Sequence, residues 1–314
     1  MKLSGLVPAA VTPFTASGDL DRTALREHVN RVGSCAGVGG VAVLGHAGEI
    51  LALTAEERTA VIAESRQALP AGVPLIAGIE GPTGAKLTAE AIQAAKAGAE
   101  ALLVLPPFDV RPHRQFSRSL EATLPVFEQL DREVGLPMVV FQYPAATGCA
   151  YSLEVLDALA DIPSVQAIKA STGPNVAAYM ELYDLLRDRI AVLAAADSPT
   201  LLGMLLYGAA GSLIGVSVIG TPIWAELLRH AAEGDYNAAV RLFHERCVPL
   251  TTATHENAPD AGSTVSPIAL TKEALFQLGE LPNALCRPPA FGPDDARKKA
   301  VTEALRKAGL LPAA

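Results

Sequence analysis

The segment Val165-Gln166-Ala167-Ile168-Lys169-Ala170-Ser171-Thr172-Gly173 combines a strand pattern with a lysine at its end. Its short apolar run, rich in β-branched residues, predicts a buried strand that stops at the Ser-Thr-Gly turn. Apolar neighbours at that strand end would lower the pKa of the Lys169 amine. A neutral amine can attack a ketone and form a Schiff base, whereas a lysine there can also simply extend its ammonium to water. The segment alone leaves both interpretations open.

Seven further apolar runs precede and follow this segment, and stretches with helical spacing separate them. We predict these strands at residues 5–11, 39–44, 73–79, 101–105, 136–141, 191–195 and 211–216. Almost continuously apolar strands that alternate with helices indicate an α/β fold with a parallel sheet buried on both faces. Eight such pairs in about 235 residues favour a closed (βα)8 TIM barrel over an open doubly wound sheet. No G-x-G-x-x-G motif follows the first strand, which weakens a dinucleotide-binding alternative.

The pattern turns all-helical in the last part of the chain. Helices are predicted at 236–250, 266–277 and 293–307, with a polar, glycine-containing connector at 254–264, and a long helix is predicted earlier at 113–134. We therefore expect a (βα)8 barrel catalytic domain at 1–234. We expect the remaining residues, 235–314, to form a C-terminal helical region packed on the barrel and not an independent domain.

Composition and charge argue against several classes of partner. Of the 314 residues, 50% are hydrophobic and 18% are charged, which is typical of a globular protein with a large core. The net charge of −8 leaves no basic face for nucleic acid. Residues 201–220 are almost wholly apolar, but Gly208, Gly211 and Gly215 divide them. We predict a buried helix, a glycine turn and a buried strand there, and no membrane span.

The start of the chain and the cysteines favour a cytoplasmic protein. Met1-Lys2 and the apolar run after it, which Pro8 and Pro13 interrupt, are unlike a signal peptide. The four cysteines are widely spaced and form no C-x-x-C pair; they are Cys35, Cys149, Cys247 and Cys286. Such spacing is typical of reduced, mostly buried thiols.

Polar side chains collect where the predicted strands end, which is where TIM barrels have their active sites. The residues at these ends are Thr12, His46, Glu49, Glu80, Phe108, Phe141, Gln142, Tyr143, Lys169, Asp197 and Ser217. No H-E-x-x-H motif and no cysteine or carboxylate cluster has metal-binding spacing, so no metal site is predicted. The Gly45-His46-Ala47-Gly48 loop is either an ordinary turn or a loop whose glycines expose backbone N–H groups to a carboxylate. A lysine beside such a loop suits a 2-keto acid.

Several motifs follow one another along nearly the whole chain. They are Thr12-Pro13-Phe14, Gly45-x-x-Gly48-Glu49, Leu53-Thr54-x-Glu56-Glu57-Arg58, Pro74-Leu75-Ile76-Ala77-Gly78, Pro144-x-x-Thr147-Gly148, Ile168-Lys169 with Thr172-Gly173, and Thr271-Lys272-Glu273-Ala274-Leu275. In this order and spacing they resemble the dihydrodipicolinate synthase / N-acetylneuraminate lyase family of class I Schiff-base aldolases. Lys169 falls on the Schiff-base lysine of that family. The resemblance implies pyruvate or a related 2-keto acid as substrate, no cofactor, and a homo-oligomer, either a dimer or a tetramer.

The sequence departs from the family pattern at positions that matter for chemistry. His46 and Ala47 replace two threonines, of which one normally joins a proton relay and the other helps to bind the keto-acid carboxylate. Phe141 stands where the family has its acid/base tyrosine, and phenylalanine cannot move a proton. Ala146 stands where dihydrodipicolinate synthase has an arginine that contacts its second substrate. These losses argue against authentic dihydrodipicolinate synthase activity.

His46 is our candidate for the missing acid/base, because histidine ordinarily titrates near neutrality. The alternative is a histidine that only hydrogen-bonds the loop or the substrate. Glu80 is a second candidate, against a solvated loop carboxylate, and Glu49 is expected to brace its loop by accepting backbone hydrogen bonds. Tyr143 points either into the site or towards a subunit contact. With Lys169 and His46 as catalytic residues, the predicted substrate contacts are Ala47, Gly48, Thr12, Phe141, Tyr143, Glu80, Phe108, Leu213 and Ile214.

Three functions are compatible with these residues. The first is a Schiff-base lyase of the aldolase type, which cleaves a keto acid to pyruvate and an aldehyde; the apolar replacements favour a bulky or aromatic aldehyde. The second is a dehydratase or deaminase of a 2-keto-3-deoxy sugar acid or a hydroxyproline-derived keto acid. The Leu105-Pro106-Pro107-Phe108 run is similar to the ketodeoxyglucarate dehydratase branch, although that branch retains the tyrosine after the fifth strand. The third is a non-catalytic family member that binds a keto acid.

Overall fold

Eight parallel strands form the centre of the computed structural model, which describes residues 3–111, 113–256 and 265–312. The strands are β1 Gly5–Pro8, β2 Val41–Val43, β3 Leu75–Ile79, β4 Ala101–Val104, β5 Met138–Gln142, β6 Val165–Ala170, β7 Ala191–Ala194 and β8 Gly211–Ile214. They pair in the order β1-β8-β7-β6-β5-β4-β3-β2, and every pairing is parallel. This order confirms the predicted (βα)8 barrel, and nearly all strand residues are buried, as continuous apolar runs require.

The barrel closes between β1 and β2, where isolated bridges at Leu6 and Ala9 join the two edges of the sheet. Up to Pro8 the strand pairs with β8. Beyond it, Ala9 forms a parallel bridge with Ala42, and the Ala10 N–H donates to the Ala42 carbonyl at 2.8 Å. The strand predicted at 5–11 is therefore shorter than expected: its register with β8 ends at Pro8, and only single bridges join it to the β2 side.

Helices alternate with the strands and continue after the last one. They are α1 Arg22–Gly33, α2 Ala55–Ala68, α3 Gly84–Ala97, α4 Leu120–Glu133, α5 Leu153–Leu159, α6 Val176–Leu186, α7 Thr200–Tyr207, α8 Thr221–Ala232, α9 Tyr236–Leu242, α10 Val248–Thr251, α11 Pro267–Gln277 and α12 Asp295–Lys307. The apolar run at 201–220 divides as predicted into α7, a left-handed turn at Gly208 and β8. Among the described residues, no helix has both the length and the apolar character needed to cross a membrane.

Two predicted helices differ from the structure. The helix expected at 113–134 is wrong at its start, where His113–Arg118 is a separate 3₁₀ segment. Ser119 causes the break, because its hydroxyl accepts from the Ala122 N–H at 3.2 Å and caps α4. The helix expected at 236–250 is divided by a π-helical turn that precedes Pro249, which lacks the N–H of a regular turn. Residues 257–264 of the predicted connector lie outside the described residues.

The C-terminal region bonds to loops at the carboxyl end of the barrel strands. Arg287 pairs with Glu57 Oε1 at 2.5 Å and donates to the Ala52 carbonyl at 2.9 Å. Asn283 donates to the Phe14 carbonyl, also at 2.9 Å. These bonds join segments more than 200 residues apart in the chain, and they bring α11 against the loops that follow β1 and β2.

Candidate active site

Lys169 stands near the carboxyl end of β6, and it lines a cavity of about 340 Å³ at that end of the barrel. Its Nζ lies 3.7 Å from the centroid of the Phe141 ring. Within the described part of the chain, no hydrogen bond or ion pair reaches this nitrogen. Burial lowers the pKa of Lys169 to about 8, against a raising effect from the negative charge of Asp197. About one Lys169 amine in ten is therefore neutral at pH 7, compared with fewer than about one in a thousand for an ordinary lysine.

The cavity is lined by strand ends, the loops after them and the C-terminal region. Its lining residues are Ala9, Gly45, His46, Ala47, Leu103, Phe141, Lys169, Ser171, Gly173, Ala195, Ala196, Asp197, Ser198, Gly215, His255, Pro267 and Ile268. Four of the residues predicted for the site, namely Lys169, His46, Ala47 and Phe141, are thus brought together around one space. The carboxyl ends of parallel strands meet there, as TIM-barrel geometry dictates.

The loop after β2 has a tightly constrained backbone. Leu44 and Glu49 both have left-handed conformations, with φ of 57° and 55°, and each stores roughly 1–3 kcal/mol of strain. A Cβ at Gly48 would lie 2.7 Å from the Leu44 nitrogen, so only glycine fits. Thr12 is fully buried and donates its hydroxyl hydrogen to the Gly48 carbonyl at 2.7 Å. No acceptor in the described part of the chain takes the N–H of Ala47 or Gly48; Ala47 lines the cavity, whereas Gly48 is buried and does not line it.

An ion pair from α11 holds this loop in place. The Glu49 carboxylate contacts the ammonium of Lys272, whose side chain is only 1% exposed. Lys272 also donates to the Leu285 carbonyl at 2.8 Å, and its Nζ lies 4.3 Å from the centroid of the Phe14 ring. Glu49 therefore does brace its loop, although through a lysine of the C-terminal region and not through backbone N–H groups.

His46 and Tyr143 form a hydrogen-bonded pair in the site. The Tyr143 Oη lies 2.5 Å from His46 Nε2, and the two rings meet edge to face. His46 is exposed as a residue, but its ring packs against Phe141 and Tyr143. This partial burial lowers the pKa of His46 to about 4, and the positive charge of Lys169 adds to the effect. Burial and the negative charge of Asp109 raise the pKa of Tyr143, so a neutral phenol and a neutral imidazole share this bond at pH 7.

Tyr143 reaches His46 because it follows Phe141 by two residues. Side chains at positions i and i+2 of a strand share a face, so both rings turn towards the same side of the sheet. Their centroids are 4.6 Å apart. The two-residue period of a strand could therefore have predicted the orientation of Tyr143. It could not have predicted the partner of Tyr143, because His46 is 97 residues away in sequence.

Seven of the nine predicted substrate contacts lie outside the cavity lining among the described residues. Thr12, Gly48 and Tyr143 still belong to the loop after β2 or bond to it, whereas four others have different surroundings. Leu213 and Ile214 are 0% and 1% exposed in β8, where they belong to the core. Phe108 is buried and packs edge to face against a neighbouring phenylalanine. Glu80 places Oε1 4.0 Å from Arg58 Nη1. These four side chains therefore have packing or ion-pairing partners in the protein, and the structure does not bring them to the cavity around Lys169.

Three lining residues come from the C-terminal region, and none of them was predicted. His255 lies in the π-helical turn Thr252–Glu256, and Pro267 and Ile268 begin α11. The sequence marked Asp197 only as a polar residue at a strand end. In the structure Asp197 Oδ2 lies 3.9 Å from His255 Nε2. Because these residues are far apart in sequence, no local pattern could have joined them.

Comparison with known proteins agrees with the motifs. The sequence profile of the dihydrodipicolinate synthetase family matches residues 2–308. A 4-hydroxy-tetrahydrodipicolinate synthase from Phenylobacterium zucineum is 31% identical over 311 residues, which is 98% of each chain. A prophage protein of the dihydrodipicolinic acid synthase family from E. coli K12, solved in complex with pyruvate, is 25% identical with a TM-score of 0.83. That alignment covers 98% of this chain and 99% of the other.

A monomeric dihydrodipicolinate synthase variant shares the fold as well. Its TM-score is 0.85 at 23% identity, over 98% of this chain and 97% of that one. At this level of identity the likeness concerns the fold alone. The similarity in each comparison extends along nearly the whole chain, so the barrel and the helices after it are both included.

Proposed function

The chain belongs to the dihydrodipicolinate synthetase family, whose members are class I aldolase-type lyases, and on this premise we propose that it cleaves a 4-hydroxy-2-keto acid to pyruvate and an aldehyde. The observation that carries the proposal is the unpaired, desolvated Lys169 amine inside the cavity. A neutral amine adds to the ketone carbon, and loss of water from the carbinolamine gives an imine. The protonated imine then accepts the electron pair of the bond that breaks.

The loop after β2 supplies a place for the carboxylate of the keto acid. The N–H groups of Ala47 and Gly48 have no acceptor within the described residues, and the strained, pinned loop keeps their orientation fixed. Backbone N–H groups in such a concave turn bind anions without a charged side chain. The loop and Lys169 would hold the adjacent carboxylate and ketone carbons at the same time.

The His46–Tyr143 pair supplies the proton relay for imine formation. The carbinolamine hydroxyl must take up a proton before it leaves as water, and a shared phenol–imidazole hydrogen bond can deliver one. Phe141 cannot transfer a proton, but its ring face lies against Nζ and favours the cationic imine through a cation–π interaction. The hydroxyl lost at position 141 would thus be supplied from position 143.

We further propose that the aldehyde differs from the second substrate of authentic dihydrodipicolinate synthase. Ala146 offers no charge where that enzyme has an arginine, and it is exposed in the middle of the short 3₁₀ turn Ala145–Thr147. Three further statements stay predictions from the sequence. They are a cytoplasmic location, a dimeric or tetrameric assembly, and the division into a barrel at 1–234 and a helical region at 235–314.

Trapping with borohydride tests the proposed imine. The full chain is incubated with pyruvate and sodium borohydride, digested and mapped by mass spectrometry. We expect a reduced adduct on the peptide that contains Lys169, and none in a Lys169→Met variant. Absence of an adduct on Lys169 with pyruvate and with other 2-keto acids would remove the proposal.

A substrate screen then separates cleavage from the other reactions of an imine. Candidate 4-hydroxy-2-keto acids and 3-deoxy sugar acids are assayed in parallel for pyruvate release and for loss of water. Pyruvate release with the aldehyde in equal amount supports the lyase. Dehydration without cleavage would replace it by the dehydratase, and an adduct without any turnover would indicate a binding protein.

A further inference from the structure

We propose that His255, oriented by Thr254 and paired with Asp197, is a second acid/base of this site and removes the proton of the substrate's C4 hydroxyl. The inference rests on the proposed lyase function and adds a residue that the C-terminal region contributes to the cavity. His46 and Tyr143 would then transfer protons at the imine carbon and its neighbour. His255 would transfer the proton at the carbon that leaves as an aldehyde.

Hydrogen bonds fix the tautomer of His255. The Thr254 hydroxyl lies 2.7 Å from the Leu250 carbonyl, which can only accept, so the single hydroxyl proton goes there. The same hydroxyl lies 2.8 Å from His255 Nδ1 and must accept from it. Nδ1 therefore carries a proton, and the lone pair of the neutral ring is on Nε2. This is how an orienting partner prepares a histidine to act as a base through its other nitrogen.

The Nε2 atom of His255 lies near the Asp197 carboxylate without a hydrogen bond between them. Nε2 lies 3.9 Å from Asp197 Oδ2, which is too long for a hydrogen bond. The other carboxylate oxygen, Oδ1, already accepts the Val216 N–H at 2.7 Å, so Asp197 is held in place. Two hydrogen-bond acceptors thus flank a space inside the cavity, which suits a donor such as a hydroxyl. Asp197 would also stabilise the positive charge that His255 acquires.

The cleavage step balances with these groups. His255 Nε2 takes the proton of the C4 hydroxyl, the O–H electron pair forms the C4=O bond, and the C3–C4 bond breaks. Its electrons form the C2=C3 bond of an enamine and neutralise the Lys169 imine nitrogen. C3 then takes a proton from the His46–Tyr143 side, His255 releases its proton to water, and a proton from water restores the His46–Tyr143 pair. Hydrolysis of the imine releases pyruvate and the neutral Lys169 amine.

Three readouts on the full chain separate this role from the proposed function. They are borohydride trapping of pyruvate, exchange of the pyruvate methyl protons in D₂O followed by NMR, and cleavage of the best substrate from the screen. We expect His255→Gln to keep trapping and exchange within about twofold of the wild type and to lower kcat for cleavage about 10²–10³-fold. His244→Gln, at an exposed histidine outside the cavity lining, is the matched control and should change none of the three.

Variants of Thr254 test the orientation of the ring. Thr254→Val removes both hydrogen bonds and should lower kcat about tenfold with KM unchanged, whereas Thr254→Ser keeps both bonds and should retain the wild-type rate. Cleavage by His255→Gln within twofold of the wild type would overturn the inference and leave the lyase intact. Parallel loss of trapping and cleavage in that variant would also overturn it, because the residue would then only support the structure. No trapping in the wild type would instead remove the proposed function.

Discussion

Lys169 and Lys272 both lie beside a phenylalanine ring, but only Lys272 has a carboxylate in contact. Each places Nζ near a phenylalanine ring, at 3.7 Å and 4.3 Å from the centroid. Lys272 also has the carboxylate of Glu49 and a backbone carbonyl within reach. Lys169 has neither kind of partner among the described residues, and burial lowers its pKa to about 8.

The comparison shows that two lysines in similar aromatic surroundings can differ in whether a carboxylate is in contact. A desolvated ammonium beside a carboxylate stays charged and acts as a structural anchor, whereas one without a counter-ion loses its proton more easily. The two residues also serve one site. Lys272 holds the loop that carries Glu49 and the amides proposed to bind the substrate carboxylate, and Lys169 is proposed to form the covalent bond.

Removing Lys169 should have the largest effect on activity. We expect Lys169→Met to lower kcat/KM by at least about 10⁴-fold, because no other group forms the imine. Its thermal unfolding temperature should equal or exceed that of the wild type, since the variant no longer buries an unpaired amine. Steady-state kinetics and calorimetry on the same preparation check both parts. A marked loss of stability would show that Lys169 has an anchoring role after all.

Removing Lys272 should mainly lower the stability of the protein, in contrast to the removal of Lys169. Lys272→Met leaves the Glu49 carboxylate buried and unpaired, so the free energy of unfolding should fall by about 3–5 kcal/mol. The double variant Lys272→Met with Glu49→Gln removes the stranded charge and should recover part of this loss. Urea unfolding curves of the three proteins test the expectation. Equal stability of Lys272→Met and the wild type would contradict the anchoring role.

Removing the His46–Tyr143 relay should lower activity without the loss of stability expected for Lys272. Tyr143→Phe removes the hydroxyl that bonds His46, so kcat should fall about 10²-fold, while stability changes by only about 1 kcal/mol. Tyr151→Phe is the matched control, because the buried Tyr151 hydroxyl has no hydrogen-bond partner among the described residues. Similar kinetics for the two variants would rule out the Tyr143 relay.

The smallest expected change comes from removing the charge of Asp197, which partly offsets the effect of burial on the pKa of Lys169. Asp197 raises the pKa of Lys169 against the effect of burial, so Asp197→Asn should lower that pKa further. The neutral fraction at pH 7 then rises, and the rate of borohydride trapping of pyruvate should increase about two- to threefold. Trapping is the proper measurement, because Asp197 is also proposed to act with His255 in turnover. A slower trapping rate would contradict this electrostatic account.

The sequence was sufficient for the barrel and for the position of Lys169 near the end of β6, because both rest on local patterns and on motifs in order. Strand ends were less predictable, as at Pro8, where the register with β8 ends before the apolar run does. The Glu49–Lys272 and Asp197–His255 contacts join distant segments, so no periodicity reveals them. Leu213 and Ile214 were placed in the site because β8 ends nearby, but both side chains are buried in the core.

The pH dependence of imine trapping tests most directly whether Lys169 is a nucleophile because it lacks a counter-ion. The initial rate of borohydride-trapped adduct on Lys169 is measured from pH 6 to 10 at saturating pyruvate, with the site of modification confirmed by peptide mapping. Because the neutral amine is the reacting form, the rate should rise about tenfold per pH unit below pH 8 and level off above it. A rate that keeps rising to the pKa of an ordinary lysine, about 10.4, or an adduct on Lys272, would contradict the account.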